Sequence, residues 1–212
     1  MTFSKQITQI VKNLNYVENN VGRSGDKVFI FENKYVLKIS KNISRLEREK
    51  EKIDWLKDKL PVPQIIAFEI EDNKAYLLET FMQGKTLIDK DILKDPILVC
   101  SLLAKAINLL SSPTLKNSPF SCPDSQGLDF VHGDLCLPNI LTDGENITGF
   151  IDLESSGLGD KWFDISWSIW SLCYNLGTND YIDTFLSMIN QTFDSQKFDK
   201  FIPKNNKNLI NL

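Results

Sequence analysis

The sequence predicts an α+β protein of two lobes, a small antiparallel sheet with one helix over residues 1–82 and a mainly helical lobe over residues 83–212. Three observations lead there. Alternating apolar residues occur at 27–40 and again at 64–81, on either side of a single amphipathic segment, as in a small sheet crossed by one helix. The second half instead carries long apolar stretches at 97–110 and 164–172 that suit buried helices. The charge also changes sign along the chain. Residues 1–60 hold 13 Lys/Arg against 8 Asp/Glu, whereas residues 124–164 hold nine carboxylates against one base, Lys161, although the whole chain is only −4.

Taken in order, KVFIFENKYVLKIS from Lys27 reads as a β-hairpin broken at Glu32-Asn33-Lys34, with Gly22 and Gly25 flanking Ser24 just upstream. A helix follows, opened by Ser44 with Glu47 three residues on as a capping box, and Pro61 stops it after about four turns. QIIAFEI and KAYLLETF complete the sheet, and Met82-Gln83-Gly84 leads out of it. In the second lobe Asp95 caps a helix whose first residue is Pro96, and Pro113 ends it. A Ser/Pro/Asn-rich loop leads to the short strand DFVH. NILTDGENITGFID then reads as a hairpin turning at Asp143-Gly144, with Asp152 at its far end, and DISWSIWSL begins another helix.

Composition excludes several classes of function. At 42% hydrophobic residues with 13 Phe, the 212-residue chain can fill a real core. No apolar run approaches the roughly 20 residues of a membrane span, and the N-terminus lacks a signal-peptide core, so a cytoplasmic protein without membrane association is expected. Four cysteines far apart and a single histidine argue against structural zinc and a disulfide scaffold. The basic first lobe has no aromatic platform or base-reading motif among its lysines, which argues against nucleic acid. The acidic segment repels nucleic acid as well, and invites a divalent metal or a cationic ligand.

Charges stand where apolar residues belong. Period 2 over 35–39 places Lys38 between apolar neighbours, and the 3, 4, 3 spacing of Leu46, Glu49, Ile53 and Leu56 puts Glu49 in a buried helical stripe. A Lys38–Glu49 pair reduces the several kcal/mol that burial of either ion alone would cost, and it holds the ammonium in place. The other possibility is that both side chains run out to water. A lysine held beside a glycine-containing hairpin loop is a phosphate grip of the kind kinases use.

The stretch HGDLCLPN contains the only histidine of the chain, His132, followed by Asp134 and Asn139. The D-x-x-x-x-N spacing is that of a kinase catalytic loop, and Asp152 follows 13 residues after Asn139 at a strand end. In that chemistry Asp134 accepts the proton of an attacking hydroxyl, while Asn139, a neutral oxygen donor, and Asp152, an anionic one, hold Mg²⁺ against nucleotide phosphates. His132 is read as structural, its ring tying the loop to nearby backbone.

VHGDLCLPNI, GFIDLESSGLGDKWFDIS, LEREKEKIDWLKDKLPVPQ and GRSGDKVFIF together resemble the aminoglycoside 3'-phosphotransferases, over residues 15 to about 195 and in the same order. The resemblance implies a bilobal protein-kinase-like fold, with residues 1–82 binding nucleotide and residues 83–212 carrying catalysis and the acceptor site. It implies ATP, or GTP, and Mg²⁺ as cofactors, and a small-molecule acceptor, a cationic aminoglycoside. By the same resemblance Asp134 is the catalytic aspartate, Asn139 and Asp152 are Mg²⁺ ligands, and Lys38 and Glu49 are the phosphate-positioning pair. Ser24 lies in the loop over the phosphates, Thr80 and Met82 belong to the hinge facing the base, and Asp164 is a buried aspartate bracing the catalytic loop. Glu154 and Asp160 are the acceptor contacts that remain.

The departures bear on the acceptor. The family carries a long helical insert before its HGD motif, where this chain has only residues 111–129, and Leu172, Cys173, Tyr174 and Asn175 stand where an Arg and acids are usual. Val36 takes a position that is often aromatic, and PKNNKNLINL is neither acidic nor aromatic. Two other functions therefore stand beside the first: a kinase of another small hydroxyl compound, and a nucleotide-binding protein that no longer turns over.

Overall fold

The computed structural model describes residues 3–19, 26–208 and 210. The chain divides into two compact units, Met1–Asp58 with Val62–Met82, and Lys59–Pro61 with Gln83–Leu212.

The first unit begins with helix α1 (Lys5–Ile10), followed by strands β1 (Tyr16–Asn19), β2 (Lys27–Phe31) and β3 (Tyr35–Ser40), helix α2 (Ile43–Leu56), and strands β4 (Ile65–Glu71) and β5 (Lys74–Thr80). The strands form one antiparallel sheet in the order β1-β2-β3-β5-β4. The β2–β3 hairpin turns where the sequence places it, with Glu32 and Asn33 both at positive φ. One face of the sheet packs Phe29, Phe31, Leu37, Ile39, Tyr76 and Leu78 with Ile7 and Val11 of the α1 region. On the other face Ala75 and Leu77 meet Leu46 of α2.

Two sequence expectations need correction here. The sheet carries α1 as well as α2. It is a helix of six residues whose apolar positions are too few to show periodicity, and it is held by Glu69, which accepts from the Ser4 hydroxyl and from the Ile7 N–H. Nor does Ser44 cap α2. The N-cap is Asn42, whose side chain accepts from the Arg45 N–H at 3.3 Å, and the Ser44 hydroxyl donates to that same Asn42 oxygen. Asn and Ser are near-equal as caps, so local competition decided between them.

The second unit contains β6 (Lys85–Thr86), α3 (Lys90–Leu93), α4 (Pro96–Leu110), β7 (Asp129–Val131), β8 (Ile140–Thr142), β9 (Ile147–Phe150), β10 (Gly157–Gly159), α5 (Lys161–Leu176), α6 (Ile182–Met188), α7 (Ser195–Phe201) and α8 (Lys204–Lys207). Asp95 caps α4 as expected, accepting from the N–H groups of Ile97 and Leu98 at 3.1 Å each, with Pro96 at the first helical position. Helix α5 begins three residues before the predicted start, because Asp160 accepts from the Trp162 N–H and caps it. Strands β6, β8 and β9 form one small sheet, and β7 pairs with β10 in another.

The connector at 111–129 contains one 3-10 turn, Pro113–Asn117, and no α-helix. It is fastened to β10: the Cys122 N–H donates to Leu158 O at 2.9 Å, the Leu158 N–H to Phe120 O at 2.8 Å, and the Asp160 N–H to the Ser125 hydroxyl at 2.8 Å. Among the described residues no helix is long and apolar enough to cross a membrane.

Candidate functional site

In the first unit the site is a lysine between two carboxylates. Register sets Lys38 of β3 opposite Leu77 of β5, so Glu79, two residues on, is its diagonal neighbour on the same face of the sheet. That face is the one α2 covers. Lys38 Nζ lies 2.5 Å from Glu49 Oε1 and 3.5 Å from Glu79 Oε1, and the three residues are 8%, 1% and 2% exposed. The Lys38–Glu49 pair is therefore formed, and the alternative in which both side chains reach water is excluded. The sequence places Glu79 only at the start of the hinge and not beside Lys38, although a lone acid in KAYLLETF is the kind of misplaced charge that exposed Glu49.

The hinge residues make distinct use of their backbone. The Thr80 N–H donates to Gln64 O at 2.9 Å while Thr80 Oγ1 accepts from the Gln64 N–H at 2.9 Å, and the Phe81 N–H donates to Lys34 O at 2.9 Å. The Met82 N–H makes no backbone hydrogen bond among the described residues. Ser24 lies outside the described residues.

In the second unit β7 delivers the loop 132–139. Gly133 is at φ +83°, and a Cβ there would stand 2.4 Å from Ser155 O, so both its conformation and its surroundings require glycine. Asp164 of α5 accepts from the His132 N–H at 2.6 Å and from the Gly133 N–H at 3.0 Å, so it ties α5 to the loop backbone. Burial pushes the Asp164 carboxyl up to about 7 against the opposing pull of those two N–H donors. The fully buried His132 ring accepts from the Asp134 N–H through Nδ1 at 3.3 Å and packs on Phe150. Burial lowers its pKa, with the carboxylates of Asp134 and Asp152 and the Ile151 backbone opposing, which favours the neutral ring.

Asn139 joins the two ends of the motif. Its amide nitrogen donates to Asp134 Oδ2 at 2.9 Å and to Asp134 O at 3.0 Å, which leaves the amide oxygen as the atom for a cation. The β8–β9 pairing continues past the strands, the Ile151 N–H donating to Asn139 O at 3.1 Å. Asp152 follows at φ +59°, a conformation Asp tolerates better than most side chains. A neutral amide oxygen and a carboxylate on adjoining backbone fit Mg²⁺, which retains waters and phosphate oxygens and needs few protein ligands. Consistent with so sparse a donor set, the described residues hold no group of three or more His, Cys, Asp or Glu side chains suited to a metal.

The acidic segment is more committed than its composition suggests. Asp160 caps α5 and lies 3.2 Å from Lys200 Nζ, Asp129 lies 3.0 Å from Lys116 Nζ, and Asp143 accepts two backbone N–H groups within its own turn. Glu154 is partly buried beside the Ser155 hydroxyl, 3.3 Å away. Asp160 therefore has a structural task that the sequence reading did not give it.

Two lobes with a lysine–glutamate pair in the first and an aspartate–asparagine loop followed by a second aspartate in the other define the class, a protein-kinase-like phosphotransferase fold. Within that class the resemblance is to the aminoglycoside phosphotransferases. Residues 115–192 match the model of the phosphotransferase enzyme family, a span that includes Asp134, Asn139 and Asp152. In sequence the chain is 28% identical over 193 residues to a probable aminoglycoside 3'-phosphotransferase of Lactococcus lactis, covering 71% of this chain and 73% of that one. It is 25% identical over 256 residues to the aminoglycoside 3'-phosphotransferase of Enterococcus faecalis, covering 95% and 97%. An aligned span of 256 positions cannot be filled by 212 residues, so at least 44 of them, 256 less 212, face gaps in this chain. In fold, an aminoglycoside phosphotransferase of Streptomyces rimosus superposes with a TM-score of 0.76 at 17% identity, over 92% of this chain and 93% of the other. The same S. rimosus protein is also known in complex with ADP and streptomycin.

Proposed function

We propose that this protein transfers the γ-phosphate of ATP, with Mg²⁺, to a hydroxyl of a small cationic acceptor of the aminoglycoside type. The observation that carries the reading is the loop in which Asn139 bonds Asp134 through its amide nitrogen while its backbone carbonyl accepts from the Ile151 N–H, one residue before Asp152. Asp134 orients the acceptor hydroxyl and takes its proton, and Asp164 and His132 keep that carboxylate in place through the loop backbone. Asn139 and Asp152 would hold Mg²⁺, which supplies neutralisation of phosphate charge as the bond to the leaving group lengthens. Lys38, oriented by Glu49 and Glu79, holds phosphate oxygens, and the Met82 backbone serves the base. Because Lys38 sits between two acids, its ammonium is held in direction.

The residues matching the 3'-phosphotransferase motifs, and the relatives of that name, support the 3'-type. A second reading, a kinase of a different hydroxyl compound, draws on the connector 111–129 and on the acids already engaged by Lys116 and Lys200. Attraction of a polycation by the remaining carboxylates is long-ranged and weakens with salt, whereas transfer requires one hydroxyl held in line. Weak, salt-sensitive aminoglycoside binding with low transfer efficiency is therefore expected, with Glu154 and Asp160 as the proposed acceptor contacts.

The deciding experiment measures turnover of ATP and GTP with Mg²⁺ across aminoglycosides and unrelated alcohols, for the native protein and for Asp134→Asn. The isosteric variant should retain nucleotide binding and lose about 10² to 10⁴ in turnover, the range for a lost general base. Equal turnover in the variant sinks the assignment of Asp134. Absence of transfer to every acceptor favours the nucleotide-binding protein without turnover.

A further inference from the structure

Helix α5 holds more of the catalytic loop than its aspartate does. Asp164, Ser168 and Ser171 follow one another at spacings of four and three residues, which places them on one face of the helix. All three are buried. Asp164 takes the N–H groups of His132 and Gly133; the Ser168 hydroxyl donates to Leu135 O at 3.1 Å; and the Ser171 hydroxyl accepts from the Leu137 N–H at 3.0 Å. Leu137 opens the 3-10 turn Leu137–Asn139, whose preceding residue, Cys136, provides no side-chain cap, so Ser171 does from another element what a local cap would do. Asn175, one turn on, fixes Ser171 in turn, donating to its carbonyl at 2.7 Å and its hydroxyl at 3.3 Å.

We infer that Ser168 and Ser171 are positioning residues for the proposed phosphoryl transfer, and that with Asp164 they fix the separation of Asp134 from Asn139. The first anchor lies just before Asp134, the last just before Asn139, and the middle one between them. Their spacing is that of a rigid helix, about 10 Å over seven residues at 1.5 Å per residue, whereas the loop itself includes a left-handed glycine and is otherwise held by short internal bonds, among them Cys136 N–H to Asp134 O and the Asn139 amide to Asp134. A serine in the middle of a buried helix gains nothing from burial unless its hydroxyl is used. Ser166 shows the contrast: it is equally buried on α5, yet its hydroxyl makes no hydrogen bond among the described residues. The Cys136 thiol also touches this network. Burial raises its pKa well above the ordinary thiol range, the Asp134 carboxylate adds to that, and the Ser171 hydroxyl opposes it, so it stays a neutral thiol between the two.

The inference rests on the reading of Asp134 and Asn139 as a catalytic pair, and its test has one arm that does not. Amide hydrogen exchange is followed by NMR in the full chain for the native protein, Ser171→Ala, Ser168→Ala and, as control, Ser166→Ala. Ser171→Ala should raise exchange at Leu137 by about tenfold or more, while His132 and Gly133, held by Asp164, keep their native rates; Ser166→Ala should change none of the three. In the second arm Ser171→Ala should lower kcat by about tenfold, raise the Mg²⁺ concentration for half-maximal turnover, and leave the nucleotide dissociation constant measured without metal unchanged. Ser171→Thr, which keeps the hydroxyl, should restore most of kcat. Native exchange at Leu137 in Ser171→Ala overturns the inference. So does faster exchange there with unaltered kcat and Mg²⁺ dependence, or an equal fall in kcat for Ser166→Ala. Should the native protein transfer phosphate to nothing, the catalytic reading fails, and the exchange arm alone decides whether Ser171 anchors the loop.

Discussion

Replacing Asp164 by asparagine should remove a pH dependence of stability that the native protein owes to one buried carboxyl. Asp164 is 2% exposed, and burial lifts its pKa from 3.8 to about 7 despite two backbone donors. The sign follows from proton binding. Above about pH 5 the unfolded chain has released this proton while the folded chain keeps it up to about pH 7, so the folded state binds more protons and stability falls as pH rises through that interval. Each pH unit spent in that condition is worth about 1.4 kcal/mol, so between about pH 5.5 and about pH 8 the loss approaches 2 kcal/mol. Asparagine does not titrate. It keeps one oxygen for one of the two N–H groups and turns a donor toward the other, a penalty of about 1–3 kcal/mol that is independent of pH. Urea unfolding of both proteins at the two pH values checks this: the native protein's advantage should be largest at the acidic pH and shrink by about 2 kcal/mol at the alkaline one. An advantage that is the same at both values would show that Asp164 ionises normally inside the fold, and that the balance between burial and its two donors has been misjudged.

The other predictions concern separate parts of the site. Because Lys38 has two acids, Glu49→Gln leaves it Glu79 as partner, so each single change should cost less than the roughly 3–5 kcal/mol of breaking a lone buried pair. The double change should cost more than the sum by about 1 kcal/mol in chemical unfolding, and strict additivity would mean the two carboxylates do not share the ammonium. Asp152→Ala should abolish the Mg²⁺ dependence of nucleotide binding in calorimetry, with metal-free binding retained; an unaltered Mg²⁺ dependence would remove Asp152 from the cation site. Gly133→Ala should destabilise by about 1–3 kcal/mol, since its methyl would meet the Ser155 carbonyl, and a native melting temperature would show that the loop can move aside.

Much of this was written in local pattern. Period 2 located the β2–β3 hairpin and set Lys38 on a covered face, helical spacing put Glu49 in a buried stripe, and the eight residues from His132 to Asn139 carried the proposed catalytic pair, which the fold joins by a hydrogen bond. These are short-range signals, and each depends on residues within two or three turns of one another. The tertiary structure decided what depends on contacts between distant segments. It alone made Glu79 a partner of Lys38, because that pairing depends on the register of β3 with β5. It made Asp160, expected as an acceptor contact, a helix cap paired with Lys200, forty residues away, and bound the connector 111–129 to β10. It also gave Ser168 and Ser171 their work, which in the sequence are two serines among aromatic residues. The physical reason is common to all of them: periodicity fixes which way a side chain points, but a hydrogen bond or ion pair also needs a partner, and only the packed chain brings that partner within 3 Å or so.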